Sequence, residues 1–401
     1  MARSDLIPLS LYVLLASNRS GIWSVYFPLF LVESRGASAP FALAMLSAAY
    51  VASSLLGPVA GRWSDRLGRR RPFLLAAEAG ALPLFFAVPF LPSALSAGVT
   101  FVVAMAVLSL GAPALSAYVA DLTQQSERGR GFGLLNAVSA IGGIAGFVIA
   151  AVLSQTVGYP SLFYFTASVM VVTILVLLTL VPDRPTTRPA GRPALREYRS
   201  LTVFSVAVSI RSLGVGAVGT FYGLYAVALG ATPLGVSIVA ISGMAAVALA
   251  SLPAGRFADR AGEIRTIWVG TLLTFGGIAL FLVASQWVYL VPAQAIRSLG
   301  FAFLSPAMLA YVSKRAPPGR RAEHLGIFAL VNSTFWSLGP LLGAGVLAVG
   351  GSGAVFVFAL VVTLASLAAI ELLYGVRRRS GRAGGPAAVA PSPGEPAASA
   401  T

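Results

Sequence analysis

Cysteine is absent from this chain of 401 residues, which excludes disulfides, thiolate metal sites and thiol nucleophiles. There is one lysine, Lys314, and one histidine, His324. Lys314 is followed by arginine, so no Gly-x-x-x-x-Gly-Lys-Ser/Thr phosphate loop exists and an ATP-driven pump of that kind is excluded. A single histidine without acids at ligand spacing gives no metal site. A hydrolase inside a membrane would need a nucleophile paired with a base, or a zinc pair, and no His, Cys or Asp cluster supplies either. No enzyme activity, cofactor or metal is expected. Charge is scarce too: 10% of residues are charged against 57% apolar, and a soluble fold could not cover that much hydrocarbon.

What is present is apolar length. Runs fall at 6–32, 39–61, 72–91, 96–120, 131–154 and 160–181, then at 201–229, 233–254, 266–286, 288–312, 324–348 and 352–374. Each is near the ~20 residues that span a hydrocarbon core. The prediction is an all-α membrane protein of twelve transmembrane helices in two six-helix domains, residues 1–181 and 201–374. A Pro- and Arg-rich linker at 182–200 joins them, and a tail at 375–401 is too rich in Ala, Gly, Pro and Ser to bury a core. The net charge of +15 would suit nucleic acid only as a patch on a soluble face. Instead 24 of the 28 basic residues fall on one set of connections, and Arg35 alone falls on the other. That asymmetry predicts a multi-pass cell-membrane protein with both termini cytoplasmic and no nucleic-acid partner.

One basic connection is written twice. Gly57 to Pro72 carries Gly61, Asp65, Arg66, Gly68, Arg69 and Arg70, and 194 residues later Gly255 to Arg265 carries Asp259, Arg260 and Glu263. Repetition at the same place in both halves indicates a duplicated membrane protein. The first loop resembles, position for position, the signature loop between helices 2 and 3 of the major facilitator superfamily; the second resembles its copy between helices 8 and 9. The resemblance implies a secondary transporter with helices 1, 4, 7 and 10 around a central cavity. It also implies that Asp121 bridges to Arg69, with the signs reversed in the second half as Glu263 with Lys314. Such pairs lock helix ends during alternating access.

An arginine at the bilayer centre costs roughly 2.5 to 3.5 kcal/mol on insertion scales. This chain has three in its spans, Arg19, Arg211 and Arg297, which fall on helices 1, 7 and 10. Arg19 and Arg211 hold nearly equivalent places in the two halves. The arrangement resembles organophosphate:phosphate antiporters, whereas the Gly57 loop looks more like drug and metabolite exporters. Helix 5 lacks the Gly-Pro that proton-driven exporters carry there. Helical spacing adds Trp23 and Tyr26 to the face of Arg19, Phe301 to that of Arg297, and Tyr222 three turns beyond Arg211. Asn332 and Trp336, one turn apart on helix 11, add polar contacts. Guanidinium groups fork around carboxylate or phosphate and stack on aromatic rings. The competing reading makes each arginine structural, bonded to helix carbonyls or to Glu78.

Glu78 is the one acid clearly inside a helix. It suits proton exchange and equally suits pairing with Arg69 to Arg71. The sequence thus predicts a monomeric carrier of a small organic or phosphorylated anion, by exchange or proton coupling. Its alternatives are a proton-driven exporter of amphipathic compounds and a receptor that kept the fold.

Overall fold

The computed structural model describes residues 6–20, 22–122, 128–183, 199–315 and 321–383; some side chains within those ranges, among them Asp65, Asp121 and Asp259, are outside the description. Every regular element among the described residues is helical. Leu6–Ser20 (α1) and Trp23–Leu29 (α2), continued by a π turn at Phe30–Ser34, make the first crossing. Ala39–Leu67 (α3) and Arg71–Ala87 (α4) follow. Ala94–Leu108 (α5) and Gly111–Leu122 (α6) share the fourth crossing. Arg128–Thr156 (α7) and Ser161–Thr179 (α8) complete the first half. The second half holds Arg199–Ala228 (α9), Pro233–Ala261 (α10), Glu263–Val283 (α11), Leu290–Arg315 (α12) and Arg321–Ala383 (α13).

Helix starts follow ordinary capping chemistry. Ser38 accepts from the Phe41 amide at 3.4 Å and Thr232 from the Gly235 amide at 3.3 Å, each just before a proline-containing first turn. The two caps lie 194 residues apart, the same interval as the basic connections. The stretch α13 contains two crossings: residues 213 to 217 of α9 approach both Gly339 and Gly343, and Gly214 meets Ala359. A straight helix would carry residues 339 and 359 about 30 Å apart. The chain folds back at Gly351, whose φ of 71° is open to glycine at little cost.

Five boundaries differ from expectation. The first apolar run is described as two helices, α1 and α2, on either side of residue 21, which lies outside the described residues, and the fourth breaks at Ser109 and Leu110. The basic stretches are largely helix: α3 runs through Arg66 to Leu67 and stops where Gly68 turns left-handed at φ 63°, and α10 runs to Ala261. Arginine and leucine are good helix formers, so the helices continue out of the apolar layer until glycine ends them. At the other end α13 continues to Ala383, past the expected start of the tail at 375. Residues 184–198, most of the expected linker, and 384–401 lie outside the described residues.

Small residues bring the helices together. A Cβ on Gly146 of α7 would fall 1.9 Å from the Asn18 carbonyl oxygen of α1, and one on Gly339 would fall 2.4 Å from the Leu213 oxygen of α9. The same close helix pair is thus built once in each half. Gly61 rests against Pro113, while Gly57, one turn earlier, faces open space.

Contacts between the halves run from mid-depth to the face opposite the basic connections, called the far face below. Tyr26 Oη lies 2.9 Å from the Pro233 carbonyl and 2.7 Å from Ser237 Oγ. Ser237 donates to the Phe147 carbonyl at 2.7 Å, and Ser47 donates to Ser337 O at 2.7 Å. The Tyr50 and Trp336 rings are 4.7 Å apart. Together they close the far side.

Candidate solute cavity

Arg211 and Arg297 reach mid-depth from opposite faces. Arg211 is nine residues into the span that begins at Thr202, and Arg297 is ten into the span that begins at Trp287. At 1.5 Å per residue each lies about 15 Å from its surface, half of a ~30 Å core. They meet on one cavity of about 190 Å3. Its wall takes Arg211, Ser212 and Val215 from α9, Val247 from α10 and Thr274 from α11. Arg297, Ser298 and Phe301 come from α12, and Asn332 and Trp336 from α13. No carboxylate is among these lining residues.

Neutral groups hold both guanidinium groups. Arg297 Nε donates to Gln294 Oε1 at 3.0 Å, and Arg211 Nη2 lies 3.5 Å from Met308 Sδ. Arg211 is 3% exposed and its Nε has no acceptor. A buried guanidinium with an unmatched N–H leaves a strong donor without its desolvation offset. Ser212 donates to Asn332 Oδ1 at 2.8 Å, which fixes the amide on the cavity wall. Phe301 is half exposed there, and Trp336 is held by Tyr50 from the first half. Tyr222 is buried within electrostatic reach of Arg297, outside the lining. The cavity therefore combines two cations, hydroxyl and amide groups, and two aromatic faces.

Arg19 corrects the expected trio. It forms a buried ion pair with Glu78 through Nη2 and Oε1. The same carboxylate accepts from Tyr12 Oη at 3.0 Å and Thr173 Oγ1 at 3.1 Å. Of the two readings of Arg19, the structural one describes this contact. Glu78 correspondingly pairs with Arg19, not with Arg69 to Arg71, because helix α1 passes α4 at membrane depth. Arg69, Arg70 and Arg71 find other groups: Asp183 at 3.4 Å, Ser64 Oγ at 2.9 Å and the Leu178 carbonyl at 2.5 Å. Arg19 and Glu78 line a separate cavity of about 330 Å3 in the first half.

Trp23 and Tyr26 leave the site as well. Trp23 is 1% exposed, enclosed by Phe85, Phe101 and Phe163 at 5.4, 5.6 and 4.6 Å between ring centroids. Its aromatic bulk fills the core of the first half. Tyr26 belongs to the far-side seam already described. Helical spacing put both on the face of Arg19, and Trp23 does meet the helix that Arg19 meets, α4, at Phe85 where Arg19 takes Glu78.

The basic connections keep one expected pair: Lys314 Nζ lies 2.6 Å from a Glu263 oxygen. Arg69 lies 3.4 Å from Asp183; the side chain of Asp121, its expected partner, lies outside the described residues, as do those of Asp65 and Asp259. Arg66 and Arg260 are exposed. Several contributors were not read from the sequence, among them Ser212 and Thr274 of the cavity wall. Gln294, three residues before Arg297, and Tyr12, seven before Arg19, share helix faces with their arginines. Ser298 and Thr173 carry no such local signal.

A model of the Major Facilitator Superfamily matches residues 9–211 and again 204–398. The chain belongs to the major facilitator superfamily. The transporter is 29% identical over 321 residues to Multidrug resistance protein 2 of Bacillus subtilis (strain 168), covering 74% of this chain and 77% of that protein. It is 27% identical over 311 residues to the class E tetracycline resistance protein of Escherichia coli, covering 72% and 74%. Among solved structures it is similar to the nucleoside transporter NupG, with a TM-score of 0.76 at 13% identity over 92% of this chain and 99% of that one. It is also similar to the human organic anion transporter MFSD10, with a TM-score of 0.67 at 17% identity over the same shares. At those identities the two structures establish the fold alone. The transporter is a multi-pass membrane protein of two repeated halves.

Proposed function

We propose that this transporter carries a small organic anion with an aromatic or apolar body, seated in the cavity of Arg211 and Arg297. One observation carries the reading: two mid-membrane guanidinium groups line one cavity without a carboxylate among its lining residues. An anionic head group would satisfy both, and charge-assisted bonds of this kind contribute about 1.5–3 kcal/mol each. Phe301 and Trp336 offer ring faces to the rest of the solute. Residues 1–181 and 201–374 rock about this site, with the termini in the cytoplasm of the cell membrane. The Glu263 and Lys314 pair, formed here within the second half, and the Gly61 to Arg70 region, with Arg69, hold helix ends at the basic face as the halves move. Glu78 supplies the proton-exchanging group if movement is coupled to protons.

A second reading is export of amphipathic drugs. It is favoured by the relatives, named for multidrug, tetracycline and quinolone resistance. Thermal melting of the purified protein with a panel of ligands separates the two. Aryl carboxylates, sulfonates or phosphates raise Tm in wild type, and the rise disappears in Arg211→Gln and Arg297→Gln. Stabilisation by cationic amphipaths alone, unchanged in those variants, would establish the drug-export reading instead.

A further inference from the structure

The Arg19 and Glu78 pair is only half used. Arg19 is 3% exposed and Glu78 is fully buried, yet a single guanidinium nitrogen, Nη2, serves the carboxylate. Arg19 Nε and Nη1 are buried donors without an acceptor. Glu78 by contrast has both oxygens engaged, taking Tyr12 and Arg19 on Oε1 and Thr173 on Oε2. The deficit therefore lies wholly on the cation, and an unmatched buried donor is costly. Both groups line the 330 Å3 cavity, whose remaining wall is mostly apolar. Ser17 and Ser139 add hydroxyls, bonded to each other at 2.8 Å.

We infer that this first-half cavity is a second anion subsite, where Arg19 Nε and Nη1 take an anionic head group and the charge state of Glu78 sets its affinity. With Glu78 ionised, the pair is neutral and an entering anion leaves one net negative charge in a low-dielectric pocket. With Glu78 protonated, Arg19 is an uncompensated cation and the anion restores neutrality. Anion and proton therefore favour each other's binding, and by linkage each strengthens the other by the same factor. The titratable and charged groups facing Glu78 are few. Helix α1 brings Tyr12 and Arg19, α8 brings only the neutral Thr173 hydroxyl, and α5, α6 and α7 bring no titratable side chain to the described cavity wall. One group governs the response. The corresponding arginine of the other half, Arg211, has no such acid among its cavity's lining residues, so only the first-half subsite is proton-linked.

This deepens the proposed function by adding a second seat, and the test isolates it from the first. Labelled benzenesulfonate, whose charge is fixed from pH 5 to 8, is equilibrated with full-length protein carrying Arg211→Gln and Arg297→Gln. Residual binding is expected to strengthen as pH falls, by at most about tenfold per pH unit for one linked proton. Adding Glu78→Gln should give tight binding independent of pH. Adding Arg19→Gln with Glu78→Gln, which keeps the pair neutral and protects folding, should remove it. Three results would overturn the inference: no binding with Glu78→Gln, a pH slope that survives Glu78→Gln, or binding that survives loss of Arg19. The proposed Arg211 and Arg297 seat stands or falls separately, on wild-type binding lost in the starting background.

Discussion

Arg19 and Arg211 show how one residue type at equivalent places acquires different partners. Both are buried at 3% exposure, but Arg19 has a carboxylate within reach and Arg211 has a methionine sulfur. Removing one member of a buried ion pair leaves an uncompensated charge and costs about 3–5 kcal/mol. Glu78→Ala is therefore expected to lower Tm sharply. Glu78→Gln with Arg19→Gln should restore most of the loss, and a melting curve for each variant checks both statements. Arg297→Gln leaves no stranded acid among the cavity's lining residues, so it should cost little stability while weakening aryl anion binding about 10- to 100-fold, the equivalent of the 1.5–3 kcal/mol of a charge-assisted bond. Isothermal titration reads that factor.

At the scale of elements, the helices are held by glycine as much as by hydrocarbon. Gly146 has no room for a Cβ against the Asn18 carbonyl, whereas Gly345 has nothing within 4 Å. Gly146→Val should force α7 off α1 and abolish a cooperative melt or folded yield, while Gly345→Ala should leave Tm within a degree or two. Thermal denaturation of both variants distinguishes a packing strip from plain small-residue composition. The apolar runs and the doubled basic connection were legible in the sequence, because each is a local pattern tied to membrane thickness or to repetition. The divisions after Ser20 and at Ser109 were not read, although Gly21 follows the first and Pro113, which has no N–H for the Ser109 carbonyl four residues back, follows the second. Trp23 and Tyr26 are taken up by rings and hydroxyls of other helices, which spacing along one helix does not name. The pairing of Arg19 with Glu78 is a contact between residues 59 apart, which periodicity does not encode; Arg211, Arg297, Asn332 and Trp336 meet because each lies at mid-depth on a helix of the second half.

For the whole molecule, the far-side seam is a set of separable bonds. Tyr26 and Ser237 tie α2 to α10, and Ser47 ties α3 to α13. Val157 and Val349 are exposed near the far ends of their helices in different halves. Spin labels at those positions should report a short distance in wild type and a larger share of long distances in Tyr26→Phe with Ser237→Ala, measured by pulsed electron paramagnetic resonance. No change in the distribution would mean the seam does not hold the closed state. The membership in the superfamily rests on the match across both halves, and the anion reading rests on the cavity alone.

Uptake of labelled benzenesulfonate and of ethidium into proteoliposomes, compared between wild type and the Arg211→Gln with Arg297→Gln variant, tests that reading most directly. The account predicts that wild type carries the sulfonate and that the variant loses at least nine-tenths of this flux, on the order of the binding lost with one charge-assisted bond. Carriage of ethidium at an equal rate in both proteins, with no sulfonate flux in either, would contradict it.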